Sequence, residues 1–288
     1  MSRFILYTFQ CSPIMNANLS LFDELPTPQE RMDKKLDYIH QIVMDQNFRF
    51  KRKREGNLNH KIYLDQRGIM ILKIANSKQL KLEEDFKIEK HQNFPSCFVV
   101  FDLRKDCQRI AIEEDLSSFS NTDVVRNIIE YTLKQDLKRY GLSIEIKKEY
   151  DQNEFWELVG GLEKGVSMVR FRFSYPNLPR VHNSISELIN NESATVNSKQ
   201  TTFEYRTEES EQLELHQSNE QLSGLVDASA NSGHEITIKA RGIKKFMRTG
   251  QTTKSIEIDD LEAIVKESDG NIFLSKVDKI IEKLNSME

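Results

Sequence analysis

Glu145-Ile-Lys147 is a carboxylate and an ammonium two residues apart in a run that alternates as a strand, so both project from one face. A strand Glu-x-Lys beside an earlier Asp is an arrangement that cleaves phosphodiesters. The two acids hold a divalent cation, and the Lys stabilises charge at the scissile phosphate. Magnesium would be the cofactor of such a site; no other reading of the chain calls for one. Here the earlier Asp has to be Asp123 or Asp136, and both fall in a helical pattern. An exposed strand face with alternating charges produces the same spacing with no chemistry attached.

A second set of residues acts collectively. Lys147, Arg170, Arg172, Lys239 and Arg241 all fall on the polar phase of alternating runs. If these three strands adjoin, one sheet face is basic and neutralises phosphates of DNA or RNA. Lys244, Lys245 and Arg248 extend that face, as does the run Lys51-Arg-Lys-Arg54. The plainer account is that strand faces must carry polar groups and that Lys and Arg discourage edge pairing. Charge is segregated further on. Residues 201–232 hold Glu204, Glu208, Glu209, Glu211, Glu214, Glu220 and Asp227 against Arg206 alone, while residues 236–255 hold six cations and no acid. The acidic stretch is thus expected to dock on the basic face, or 201–255 to form a protein-partner or homodimer surface.

Other chemistry is absent from the sequence. The six histidines are scattered, with no His-x-x-His or Cys/His spacing, so no local metal site is expected. Three cysteines, none in a C-x-x-C pair, argue against a disulfide scaffold and for a reducing, cytoplasmic setting. There is no G-x-S-x-G, and Gly160-Gly-Leu-Glu-Lys-Gly165 lacks the G-K-[ST] of a phosphate loop. No apolar run approaches the ~18–20 residues of a membrane span, so no membrane partner is expected. A net charge of −4 over 288 residues gives no overall pull toward nucleic acid.

The elements that must position these residues are legible in part. Ser96–Asp102 is an apolar run suited to a buried strand, and Arg109–Glu113 follows at hairpin spacing. Val125, Ile128, Ile129, Leu133, Leu137 and Tyr140 stripe a helix over 121–140, with Ser120 and Asp123 as its capping pair and Gly141 at its left-handed end. Leu142–Lys147 and Val169–Tyr175 alternate as strands, with a short helix at Asn153–Gly160 between them. Phe4–Phe9 is expected to be a first strand, Thr27-Pro-Gln-Glu30 to start a helix running to Asn47, and Asp65-Gln-Arg-Gly68 to turn a hairpin. Later, Ile185, Leu188 and Ile189 indicate a helix, as do residues 219–230, Asp259 with Glu262, and the apolar stripe ending at Leu284.

The block PSCFVVFDLRKDCQRIAIEE, a long helix, then LSIEIKKEYDQNEFWELV resembles an uncharacterised bacterial family associated with mobile elements and phage-defence neighbourhoods. The resemblance covers residues 94–160. It implies a cytoplasmic antiviral-defence or toxin-type component and brings no catalytic residues with it.

The expected fold is α+β, a mixed or antiparallel sheet flanked by helices. The composition shift near 190–200 divides a core domain, 1–190, from a smaller α+β region, 201–288, on the same core. Three functions stay open: a nucleic-acid-associated binding or sensor protein using the basic strand face, a metal-dependent nuclease at Glu145 and Lys147, and an interaction component acting through 201–255.

Overall fold

The computed structural model describes residues 2–14, 26–54, 56–84, 87–105, 107–174, 200–208, 211–258, 261 and 270–285. The expected helix at 185–189 and the Asp259/Glu262 start lie outside the described residues. The fold is α+β with antiparallel sheets. The chain forms two compact units. One is Met1–Ile5, Pro13–Ile146 and Ser255–Glu288; the other is Leu6–Ser12 and Lys147–Lys254. The divisions between the units therefore fall at residues 5/6, 12/13, 146/147 and 254/255.

One sheet is built from β1 (Ser2–Pro13), β4 (His60–Gln66), β5 (Ile69–Ala75), β8 (Ser96–Asp102), β9 (Arg109–Glu113), β10 (Leu142–Lys148) and β15 (Ser255–Ile258). Its order is β10-β1-β9-β8-β5-β4, with β15 also on β1. β5 and β8 are buried on both faces, which is why they read as continuous apolar runs. The β4–β5 hairpin closes on Gln66↔Ile69, with Arg67 and Gly68 both at positive φ, the tight turn expected of Asp65–Gly68. Two further hairpins join β2 (Phe50–Lys51) to β3 (Asn57–Leu58) and β6 (Lys78–Glu84) to β7 (Lys87–Asn93).

Thr27 caps α1 (Pro28–Asp33) with a reciprocal box to Glu30, as the sequence indicates. The helix does not run on to Asn47. It breaks at Lys34 and resumes as α2 (Lys35–Met44). Arg31, buried at the end of α1, donates to the carbonyl of Gly141 at 2.9 Å, a bond between distant segments. α3 (Thr122–Asp136) is capped by Asn121, whose side chain accepts from the Val124 amide, one residue later than the Ser120 start expected. A 3-10 turn, Leu137–Tyr140, continues it to Gly141, left-handed at φ 64°. Val125, Ile128, Ile129 and Leu133 are buried, and Glu130 accepts from the amide of Ile146. α6 (Gly270–Asn285) closes the described chain.

The second unit is a four-stranded sheet in the order β12-β11-β13-β14: Gln200–Arg206, Val166–Ser174, Thr237–Ala240 and Met247–Arg248. One face carries Val169, Phe171, Phe173 and Ile238. They form a single core with Phe155 of α4 (Asn153–Gly160) and Leu222, Leu225 and Val226 of α5 (Glu220–Asn231). Asn219 caps α5, and Gly233 turns the chain out of it at φ 66°. The acidic stretch is therefore not a detachable tail. Its first part is strand β12, its middle is tied by the Leu213 amide to the carbonyl of Val166, and its last part is a core helix.

Candidate nucleic-acid interface

Strand registers decide which of the expected cations share a face. Val169 pairs with Ile238 and Tyr205 on the core side, so Arg170, paired with Thr237 and Glu204, points the other way. An irregularity between Val166 and Met168 sets Met168 opposite Lys239. Thr237 in turn faces Arg248 on β14. Arg170, Arg172, Arg206, Lys239 and Arg248 thus project from the face opposite the core. The expected adjacency of the strands bearing Arg170 and Lys239 is found.

Lys147 does not join them. β10 belongs to the other sheet. Its ammonium lies 2.9 Å from Nε2 of the buried His234, where an ammonium can only donate and the ring nitrogen must accept. The proton therefore sits on Nδ1, which donates to Ser232 Oγ at 3.0 Å, and that hydroxyl donates to the Ala228 carbonyl. Burial first, and the Lys147 charge second, push the His234 imidazole down to about 3. Lys147 is a structural cation.

Other members of the expected set are also engaged. Arg170 binds Glu204 at 2.6 Å, and Arg206 binds the same carboxylate at 2.8 Å. Those hydrogen bonds, Arg170's first, hold the Glu204 carboxyl below its ordinary range, so it stays an anion on the edge strand of the face. Within the acidic stretch, Glu204 meets the basic face directly. Arg248 stands 3.6 Å from Glu235. Lys239 turns back along the chain, donating to the carbonyls of Ile243 at 2.7 Å and Lys244 at 2.6 Å. It braces the 241–246 loop from the wall of the cleft it lines. Arg172, Lys244 and Lys245 are exposed. Lys51–Arg54 belong to the other unit, where Lys51 pairs with Asp136 at 3.6 Å.

The braced loop walls a cleft of about 730 Å³ whose lining includes Met168, Arg206, Arg241, Lys244 and Phe246. Gly242, at φ 75°, makes the turn, and the Arg241 amide is anchored on the carbonyl of Gly165. Phe246 is 55% exposed and Ile243 42%, two apolar side chains at a loop tip among cations. Lys239 Nζ lies 5.1 Å from the Phe246 ring centroid and helps hold the ring. Arg206, Phe246 and Met168 were not singled out in the sequence. The available signal was an aromatic directly after Lys244-Lys245, in a segment too short for a strand to bury it.

The cleavage arrangement is not assembled. Glu145 is exposed on β10, but Asp123 lies on α3 beside Arg126 at 3.9 Å and Asp136 lies beside Lys51. With Lys147 directed at His234, the Lys has another task as well. Among the described residues no three His, Cys, Asp or Glu side chains come together as a metal site. Cys11, Cys97 and Cys107 are buried and form no disulfide, and burial raises the Cys97 thiol to about 12, an inert apolar residue. No helix among the described residues is long and apolar enough to cross a membrane.

The chain matches no protein-family model, no curated protein sequence and no solved structure.

Proposed function

We propose that this protein binds nucleic acid through the outward face of the β12-β11-β13-β14 sheet and its 241–248 loop. The observation that carries this reading is the convergence of Arg206, Arg241 and Lys244 on one cleft, with Arg172 on the same sheet face and Lys245 on the loop beside it. A protein with a net charge of −4 gathers these cations in one place, and local concentration of charge is what phosphate backbones respond to. The chemistry is phosphate neutralisation and counterion release, indifferent to sequence. A bacterial defence setting rests on the resemblance of residues 94–160; the binding reading rests on the geometry.

The test is fluorescence anisotropy with labelled oligonucleotides across a salt series. Five cations engaging five phosphates give a log–log slope of about −3.5 for a single strand, at roughly 0.7 per contact. The triple variant R172A/K244A/K245A should lower that slope by about 2, by the same factor, and weaken all sequences alike. A slope unchanged in the triple variant, or no binding at low salt, would sink the reading.

A further inference from the structure

We infer that the cleft at the 241–246 loop takes an unpaired base, with Phe246 as its stacking platform, so that the ligand is single-stranded nucleic acid rather than duplex. This rests on the phosphate-binding reading above and specifies its substrate class.

Three observations converge. First, the exposed ring is placed rather than loose. Lys239 ties the loop to the sheet by two carbonyl bonds and lies against the ring, so the aromatic surface is held before any ligand arrives. A preorganised platform loses little side-chain entropy on binding. Second, the ring borders a concave space. About 730 Å³ falls within the range of sites that enclose small molecules, and its wall is mixed, with Met168 and Phe246 apolar and Arg206, Arg241 and Lys244 cationic. A nucleotide presents the same mixture: a flat apolar base joined to an anion. A duplex offers its phosphates but keeps its base faces stacked inside, so it can use the cations and not the ring. Third, charge complementarity argues against an apolar peptide as the occupant. Burying Phe246 under an uncharged partner would strip water from Arg206, Arg241 and Lys244 without compensation.

A register irregularity adjoins the cleft. The irregularity between Val166 and Met168 brings Ser167 out of register, where its hydroxyl donates to the Lys239 carbonyl at 3.2 Å and its own carbonyl accepts from the Thr207 amide at 3.1 Å. Such irregularities re-aim neighbouring side chains. Here Met168 ends up under the cleft beside Lys239, and the strand bearing Arg206 is tied to the same point.

The experiment compares three labelled probes on the full chain at low and moderate salt: oligothymidylate of 12 residues, an abasic strand of the same phosphate count, and a 12-base-pair duplex. Wild-type protein should bind the oligothymidylate more tightly than the other two. Phe246→Ala should weaken oligothymidylate about tenfold, equivalent to about 1.4 kcal/mol, and leave the abasic strand unchanged. Phe246→Trp should restore binding, which separates ring stacking from loop collapse. Equal weakening of both strands by Phe246→Ala, no weakening of either, or tighter binding of the duplex would each overturn the inference while leaving phosphate binding in place. Failure of all three probes to bind at low salt would overturn the phosphate-binding reading itself, and this inference with it.

Discussion

His234 makes the stability of the second unit acid-sensitive in a way that can be isolated. The imidazole is held neutral in the folded state by burial and by the Lys147 ammonium, with its titration pushed down to about 3. In the unfolded chain it titrates near 6.5. Between those values the unfolded state binds a proton that the folded state refuses. Stability is therefore full above about pH 6.5 and falls as the pH drops, continuing until about 3. At pH 5 the unfolded histidine is about 1.5 units below its midpoint, and at 1.36 kcal/mol per unit the loss relative to pH 7 is about 2 kcal/mol. Groups facing this site are Lys147 from β10, Tyr150, whose hydroxyl donates to the His234 carbonyl and whose phenol is pushed up by burial, and the Glu154 and Glu235 charges that act on it. His60 is also lowered by burial and adds a loss of the same sign, whereas Asp227 is raised by burial and opposes it. Comparison with His234→Gln removes these common contributions, because a glutamine oxygen can still accept from Lys147 but does not titrate. The assay is urea unfolding at pH 7 and pH 5, followed by the fluorescence of Trp156. It is the single tryptophan of the chain and lies against the core of the second unit. The drop in unfolding free energy from pH 7 to pH 5 should be about 2 kcal/mol larger for wild type than for the variant. A difference below about 0.5 kcal/mol would mean that His234 titrates alike in both states, and the Lys147–His234–Ser232 chain of bonds would be refuted.

Glu204→Gln should tighten nucleic-acid binding several-fold at low salt, because it removes the anion that Arg170 and Arg206 now share; weaker binding in the anisotropy assay would contradict the placement of the site. Glu154→Ala should destabilise the second unit by about 2–3 kcal/mol in the same Trp156 assay, a typical loss for hydrogen bonds to a charged group, since its carboxylate accepts from the amides of Gly250, Gln251 and Thr252 at 3.0–3.1 Å. Gly233→Ala should cost more than about 1 kcal/mol, because the residue sits at positive φ and a Cβ there would come within 2.7 Å of the Lys148 carbonyl oxygen; an unchanged unfolding midpoint would refute the close approach. Lys239→Met should leave the core intact but loosen the loop, seen as faster hydrogen exchange at 243–246 and weaker binding of oligothymidylate.

Local periodicity made much of the scaffold readable. The two-residue alternation of Val169, Phe171 and Phe173 against Arg170 and Arg172 survives intact, because a pleated strand with one face on a core admits no other register. The cap at Thr27 and the left-handed stop at Gly141 are likewise local chemistry. What failed was whatever depended on distant partners. The break between α1 and α2 has no glycine or proline to announce it. Arg31, the last basic residue of α1, bonds to Gly141 across more than a hundred residues of chain. The unit boundaries are equally non-local: β11 and β12 flank the compositional shift near 190–200 and are neighbours in one sheet.

The site was half legible for the same reason. Phase along a strand says which way a cation points, but not which strand lies next to it or what waits there. Of the eight cations expected to bind nucleic acid, Lys147 meets a buried imidazole, Lys239 meets two loop carbonyls, and Arg170 and Arg248 meet carboxylates. Counting Lys and Arg therefore overstates the charge offered to a ligand. The structural cations are nevertheless tied to the site: Lys239 lines the cleft and shapes the loop that carries Lys244 and Phe246 to it. A ligand that needs only charge would be served by any exposed cluster. Under the proposed reading, a lysine that holds an aromatic ring in water serves a ligand with a flat face as well as a charge.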